Sequence, residues 1–199
     1  CDVVGVHQVT PKEYATQRRS DVLSTRKLSD STLQTLNVVA LNRDDCAANF
    51  TRCTNTILLS DGLDDERRLS ALSELWLSYA IYLDRTDNSH AVSDPALHAY
   101  LESARDAYAY LFYTHRSPGE RAFETRQSQV LDFYNYATQR AVGSFFSLLP
   151  TLGTNWNSQA IAGWNLLRPT SDVYLGSGDY IPKELIPAEG LRFSGLRNI

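Results

Sequence analysis

Apolar residues fall at helical intervals up to residue 150 and lose that period afterwards. The longest periodic run is 117–149, where Leu131, Tyr134, Ala141, Phe145 and Leu148 recur at spacings of three, four or seven and share one helical face. Arg121, Arg126, Gln129 and Gln139 fill positions between them. Ser117, Pro118 and Glu120 read as N-cap, first helical residue and N3 of a capping box, and Pro150 reads as the stop. Over 65–84, Leu69, Leu72, Trp76, Tyr79 and Leu83 form a second stripe, opposite Arg67, Arg68, Ser70 and Glu74. Over 95–113, capped by Asp94 with Pro95 at the first position, the stripe is Leu97, Leu101, Ala104, Tyr108 and Leu111.

Weaker signals precede these three. Thr10, Pro11 and Glu13 repeat the capping pattern and predict a helix over 11–24. Another begins at Ser29 or Asp30 and carries Leu33, Leu36 and Ala40 on one side. Asp44 and Asp45 cap a segment running through Cys46 to Leu59, and Ser60, Asp61 and Gly62 break it. After residue 150 glycines and prolines alternate with short runs at 164–167, 173–175 and 191–193, which read as loops with short strands. The expected class is therefore mainly α. An antiparallel array of helical hairpins, loosely tetratricopeptide-like but without a fixed repeat, is followed by a Gly/Pro-rich tail with short strands. The divisions are an N-terminal tether at 1–9, a helical domain at 10–150, and an irregular segment at 151–199 that packs on the helices or leads into a following domain.

Composition narrows the partners. The 199 residues are 43% hydrophobic and 21% charged, ordinary values for a folded chain. The net charge of −4 comes from interspersed residues, with no basic stripe for nucleic acid. No apolar run approaches the ~18 residues that span a bilayer. Eleven tyrosines and no methionine predict a core of stiff rings whose hydroxyls need partners when buried.

Cys1 heads the chain, as in a mature bacterial lipoprotein cut before the cysteine that carries the lipid; an arbitrary chain boundary is the alternative. A lipid on Cys1 would anchor the protein at the membrane of a bacterial cell envelope, since each buried CH₂ contributes roughly 0.8 kcal/mol. Asp2 resembles the inner-membrane retention residue of enteric lipoproteins, a rule that varies among bacteria, so the leaflet stays open. Cys46 and Cys53 remain as a pair, and an envelope compartment permits a disulfide. On a continuous helix they would stand roughly 10 Å apart along the axis, beyond the ~7 Å limit. A bond therefore requires CAANFTRC to bend, with Asn49 as the turn residue; two buried thiols on one helix face are the alternative. Two cysteines without nearby histidine make no zinc set.

Catalytic and cofactor signatures are missing: there is no Gly-x-Ser-x-Gly elbow, His-Glu-x-x-His, P-loop or dinucleotide fingerprint. Gly176-Ser177-Gly178 reads as a turn. His7, His90, His98 and His115 are scattered and suit surface or capping roles. Asp64-Asp65-Glu66 lacks the rest of a calcium loop and suits a helix N-terminus. Arg18-Arg19 suits a solvated face better than lipid headgroups. Tyr108, Tyr110, Tyr113, Tyr134 and Tyr136 suit interhelical packing better than an apolar groove.

Cys1, the helix phrase VLDFYNYATQRAV at 130–142 and the closing IPAEGLRFSGLRN at 186–198 together resemble the N-terminal region of bacterial envelope lipoproteins of the α/β-hydrolase class, lipase- or esterase-like. The matching residues are Tyr134, Asn135 and Ala137, then Gly195, Leu196, Arg197 and Asn198. The resemblance implies a non-catalytic helical region ahead of a serine hydrolase whose nucleophile, acid and histidine lie beyond Ile199. Its partners would be the membrane and that following domain. The competing expectation is a complete lipoprotein adaptor that binds a partner protein through a helical groove.

Overall fold

The computed structural model describes residues 27–86, 92–116, 119–121, 124–153 and 155–167. These hold six helices, α1 (Asp30–Val38), α2 (Arg43–Ala48), α3 (Phe50–Leu59), α4 (Asp65–Thr86), α5 (Asp94–Tyr113) and α6 (Thr125–Leu152), and one antiparallel hairpin of β1 (Ser158–Ile161) and β2 (Trp164–Leu167). The fold is mainly α, as the periodicity predicts. The tether, the helix expected over 11–24 and the runs at 173–175 and 191–193 lie outside the described residues.

The long helices form an antiparallel array in chain order. Ser103 on α5 donates to the Ser73 carbonyl on α4, the Trp76 ring meets His98, and the Arg116 guanidinium beyond α5 reaches Glu66 at the start of α4. Between α5 and α6, Tyr108 faces Tyr134 while Leu97 and Leu101 pack with Ala141 and Phe145. All five residues of the α5 stripe are buried. The core between α4, α5 and α6 alternates rings with small residues: Tyr100, Tyr110 and Phe133 lie among Ala80, Ala99, Ala107 and Ala137.

A second core brings α1, α2 and α3 onto α4 through Leu36, Cys46, Cys53, Ile57, Leu63, Leu72 and Leu75. With α1 on one side and α5 and α6 on others, α4 is enclosed through its middle. Ser70, Ser73 and Glu74 are buried there, not solvated as the stripe predicts. Of the expected stripe only Leu72 is buried; Leu69, Trp76, Tyr79 and Leu83 are half-buried. The buried apolar positions of α4 are Ala71, Leu72, Leu75, Leu77, Ala80 and Ile81, because neighbours pack on more than one side of the helix.

Local chemistry explains most of the ends. Ser29 caps α1 by accepting from the Thr32 amide at 3.3 Å. The helix closes with Leu41 N–H on the Leu36 carbonyl, Ala40 N–H on the Asn37 carbonyl, and Ala40 at φ 55, which is the Schellman pattern without its usual glycine. Asn42 and Asp45 form a reciprocal capping box for α2. The next helix starts after a break at Asn49 (φ −147, ψ 89), whose Oδ1 accepts from the Arg52 amide at 2.9 Å. That break is the bend the cysteines require: Cys46 and Cys53 are bonded, with Cα atoms 5.0 Å apart.

Other ends differ from the sequence expectation: Asn42 rather than Asp44 or Asp45 caps α2, and Ala40 lies beyond the end of α1 instead of on its face. Ser93, one residue before Asp94, caps α5. Residues 119–121 form a turn and α6 begins only at Thr125, because Arg121 turns fully inward instead of joining a helix surface. Pro150 lies within the last turn of α6 and the helix continues to Leu152. Proline forfeits only its own amide bond and its clash falls on the turn behind it. Gly153, at φ 68 and ψ −162, is what ends the helix, in backbone space that only glycine adopts freely.

Candidate functional site

Charged groups gather at three levels of the array and on one face of α5. At the middle level, Glu74 of α4 is buried. Its Oε1 accepts from the Ser29 amide at 2.7 Å. Its Oε2 accepts from the Ser29 hydroxyl at 2.7 Å, from the Thr32 hydroxyl, and from the Arg126 guanidinium of α6 at 2.9 Å. Arg126 also donates to the Thr32 and Ser29 hydroxyls. At one end, Arg116 bridges Glu66 and Glu124, and its hydrogen bonds hold the Glu66 carboxyl below the usual range. At the other, Tyr100 and Arg140 both donate to Asp84, and burial followed by the Asp84 hydrogen bond raises the Tyr100 hydroxyl well above its ordinary pKa. Each of these groups joins one helix to another.

The face of α5 differs. His98, Glu102 and Asp106 succeed one another at four-residue spacing, which stacks them on one side of the helix. Arg105 lies between the two carboxylates, 2.5 Å from Glu102 and 3.1 Å from Asp106, with its guanidinium 6.0 Å from the Trp164 ring centroid of β2. Asp106 is buried, and its Oδ2 has no hydrogen-bond partner. Loss of hydration pushes its carboxyl up to about 6 against the opposing charge and hydrogen bond of Arg105. The Nδ1 of His98 donates to the Ala162 carbonyl at 2.8 Å, and its Nε2 stands 3.9 Å from Glu102.

This contact also shapes the hairpin. Ala162 and Gly163 occupy its two-residue turn at φ 49 and φ 78, the paired left-handed geometry that closes a tight antiparallel hairpin. A Cβ on Gly163 would stand 3.2 Å from His98 Nδ1, so the close approach and the backbone both favour glycine. The face can take up a proton at Asp106 and hold a cationic group between two carboxylates, which Arg105 does. The neighbouring Ser103 hydroxyl donates to the Ser73 carbonyl at 2.7 Å, turned toward α4.

Asp106 has a calculable signature. The native chain binds this proton more tightly than the unfolded chain, so stability falls as pH rises from about 4 to about 6 and stays lower above. Asp106→Asn is expected to be neutral near pH 4 and to stabilise on the order of 2 kcal/mol at pH 8. Denaturant unfolding of both proteins across that range measures the difference; equal curves at every pH would refute it.

The other candidates from the sequence are dispersed. Cys46 and Cys53 form the disulfide in the second core. Asp65 and Glu66 lie in the first turn of α4, and Asp64 caps it by accepting from the Arg67 amide at 2.7 Å. His115 is exposed after α5. Tyr108, Tyr110 and Tyr134 are buried, Tyr136 is half-buried and Tyr113 is exposed. Cys1, His7, Arg18, Arg19, His90, Ser177 and the closing 186–198 lie outside the described residues. Among the described residues no group of three or more His, Cys, Asp or Glu could hold a metal, and no helix is long and apolar enough to cross a membrane. The carboxylate face went unread in the sequence although the spacing of 98, 102 and 106 was visible there. No family model, curated protein or solved structure matches the chain.

Proposed function

We propose that this chain is a non-catalytic helical module of a membrane-anchored serine ester hydrolase acting on lipid or acyl-ester substrates, with the catalytic residues outside residues 1–199. The observation that carries the non-catalytic part is the disposition of the charged groups. Glu66, Glu74 and Asp84 each bind an arginine from a later part of the chain, and Glu74 is fully buried, so these carboxylates are engaged in holding the array together. The hydrolase context rests on the resemblance at 130–142 and 186–198. Within the first phrase Tyr134 and Ala137 face the core while Asn135 is exposed, leaving one side of α6 for a neighbouring domain. A lipid on Cys1 would hold the module at the cell envelope.

A second reading, an adaptor that binds a partner protein, is favoured by a different observation. Phe50 stacks on Tyr79 at 4.2 Å, Tyr79 stacks on Tyr82 at 6.5 Å, and Tyr82 is 59% exposed, so a strip of rings reaches the surface. Intact-mass measurement of the protein from its own cells, with peptide mapping of both ends and a fluorophosphonate probe, separates the readings. The hydrolase reading expects a longer polypeptide that the probe labels beyond Ile199. A product ending at Ile199, acylated at Cys1 and inert to the probe, would sink it in favour of the adaptor.

A further inference from the structure

Cys46, Phe50, Cys53 and Ile57 are spaced four, three and four residues apart, which is the inward stripe of one uninterrupted helix. The structure breaks that helix at Asn49 and brings the Cys46 and Cys53 Cα atoms to 5.0 Å. In a straight helix the same atoms would be roughly 10 Å apart, so the bond and the continuous helix exclude each other. The break also leaves the Phe50 and Thr51 amides in a helical first turn, where geometry supplies no carbonyl within the helix. One helix would pair them with Cys46 and Ala47.

We propose that the Cys46–Cys53 pair is a redox-controlled shape switch: oxidised, it enforces the bend between α2 and α3; reduced, it lets residues 43–59 straighten into a single helix. The reductant is a dithiol. Its first thiolate attacks one sulfur, breaking the Cys46–Cys53 bond and releasing the other cysteine as a thiolate while a mixed disulfide forms. Its second thiolate then breaks that mixed disulfide and releases the remaining cysteine. Two electrons and two protons pass to the protein, leaving two thiols here and a disulfide on the reductant. Access comes through α2, six residues of which only Cys46 is buried, so it can open without disturbing the array. Straightening changes the surface as well. An open groove lined by Val39, Asn49, Arg52, Asn55 and Leu59 runs past the bend and belongs to the oxidised form.

Residue-resolved hydrogen exchange on the full-length protein, oxidised and in excess dithiothreitol, tests the switch. Reduction is expected to raise protection of the Phe50 and Thr51 amides at least tenfold while α4, α5 and α6 stay unchanged. A Cys46→Ser/Cys53→Ser variant is expected to show the reduced pattern without reductant. Adding Asn49→Ala, which removes the cap favouring the break, is expected to strengthen that pattern. Unchanged protection at Phe50 and Thr51 would overturn the proposal. So would loss of protection throughout α4 to α6, which would make the bond a structural staple.

Discussion

Glu74→Ala is expected to lower the unfolding free energy by about 3–5 kcal/mol, the range for removing one partner of a buried ion pair. Glu74 is buried and accepts from Ser29, Thr32 and Arg126 at once. Alanine leaves the Arg126 charge uncompensated at a site where its guanidinium is mostly shielded, and strands the buried Ser29 amide. The damage is expected to concentrate on α1, whose first turn hangs on this carboxylate. Arg126→Ala is expected to cost a similar amount, and the double variant clearly less than the two combined, because each single change already breaks the same pair. Urea unfolding of the four proteins, with hydrogen exchange read over α1, measures both effects. Strict additivity, or a loss below 1 kcal/mol, would contradict this account.

Arg121→Ala is expected to destabilise by about 3 kcal/mol, from lost packing and charge-assisted hydrogen bonds. This arginine is fully buried, and its Nη2 donates to the carbonyls of Tyr110, Leu111 and Arg116. Its guanidinium carbon stands 4.3 Å from the centroid of the Tyr110 ring. Favourable placement comes from the C-terminal end of α5, where unpaired carbonyls concentrate negative potential. Arg121→Lys is expected to recover little, since an ammonium cannot cover the ring and reach the same carbonyls together. Thermal unfolding of the two variants checks this; full recovery by lysine would show that charge alone matters.

Those two arginines also mark where the sequence became illegible. Their spacing put both between apolar stripe positions of one long helix, and nothing local signals that a guanidinium will turn into the core. Burial of Arg121 is decided by α5, whose last carbonyls it covers; burial of Glu74 is decided by α1 and α6. Both are tertiary facts. Where one short segment settles the outcome, reading succeeded: the α5 stripe is buried throughout, and Asn49 interrupts the cysteine segment as the disulfide geometry demands. The start of α6 failed for the same reason as Arg121. A capping box at 117–120 is a local preference, and the turn at 119–121 prevails because Arg121 docks against α5.

Glu66, Glu74 and Asp84 have a joint mechanical consequence. All three acids belong to α4, and all three bases, Arg116, Arg126 and Arg140, come from the chain after α5. The acids span roughly 27 Å of helix at 1.5 Å per residue. Sliding α6 along α4 by one turn, roughly 5.4 Å, would part the Glu74–Arg126 and Asp84–Arg140 couples in the same instant, while Arg116, ahead of α6, ties the start of α4 separately. The couples act like teeth of a rack, unequally spaced, so that no displaced alignment meshes. Shear between α4 and α6 is thereby opposed at two levels at once. The pieces on the sides of the array lie outside these couples: α2 is tied by its cysteine link and the hairpin by His98.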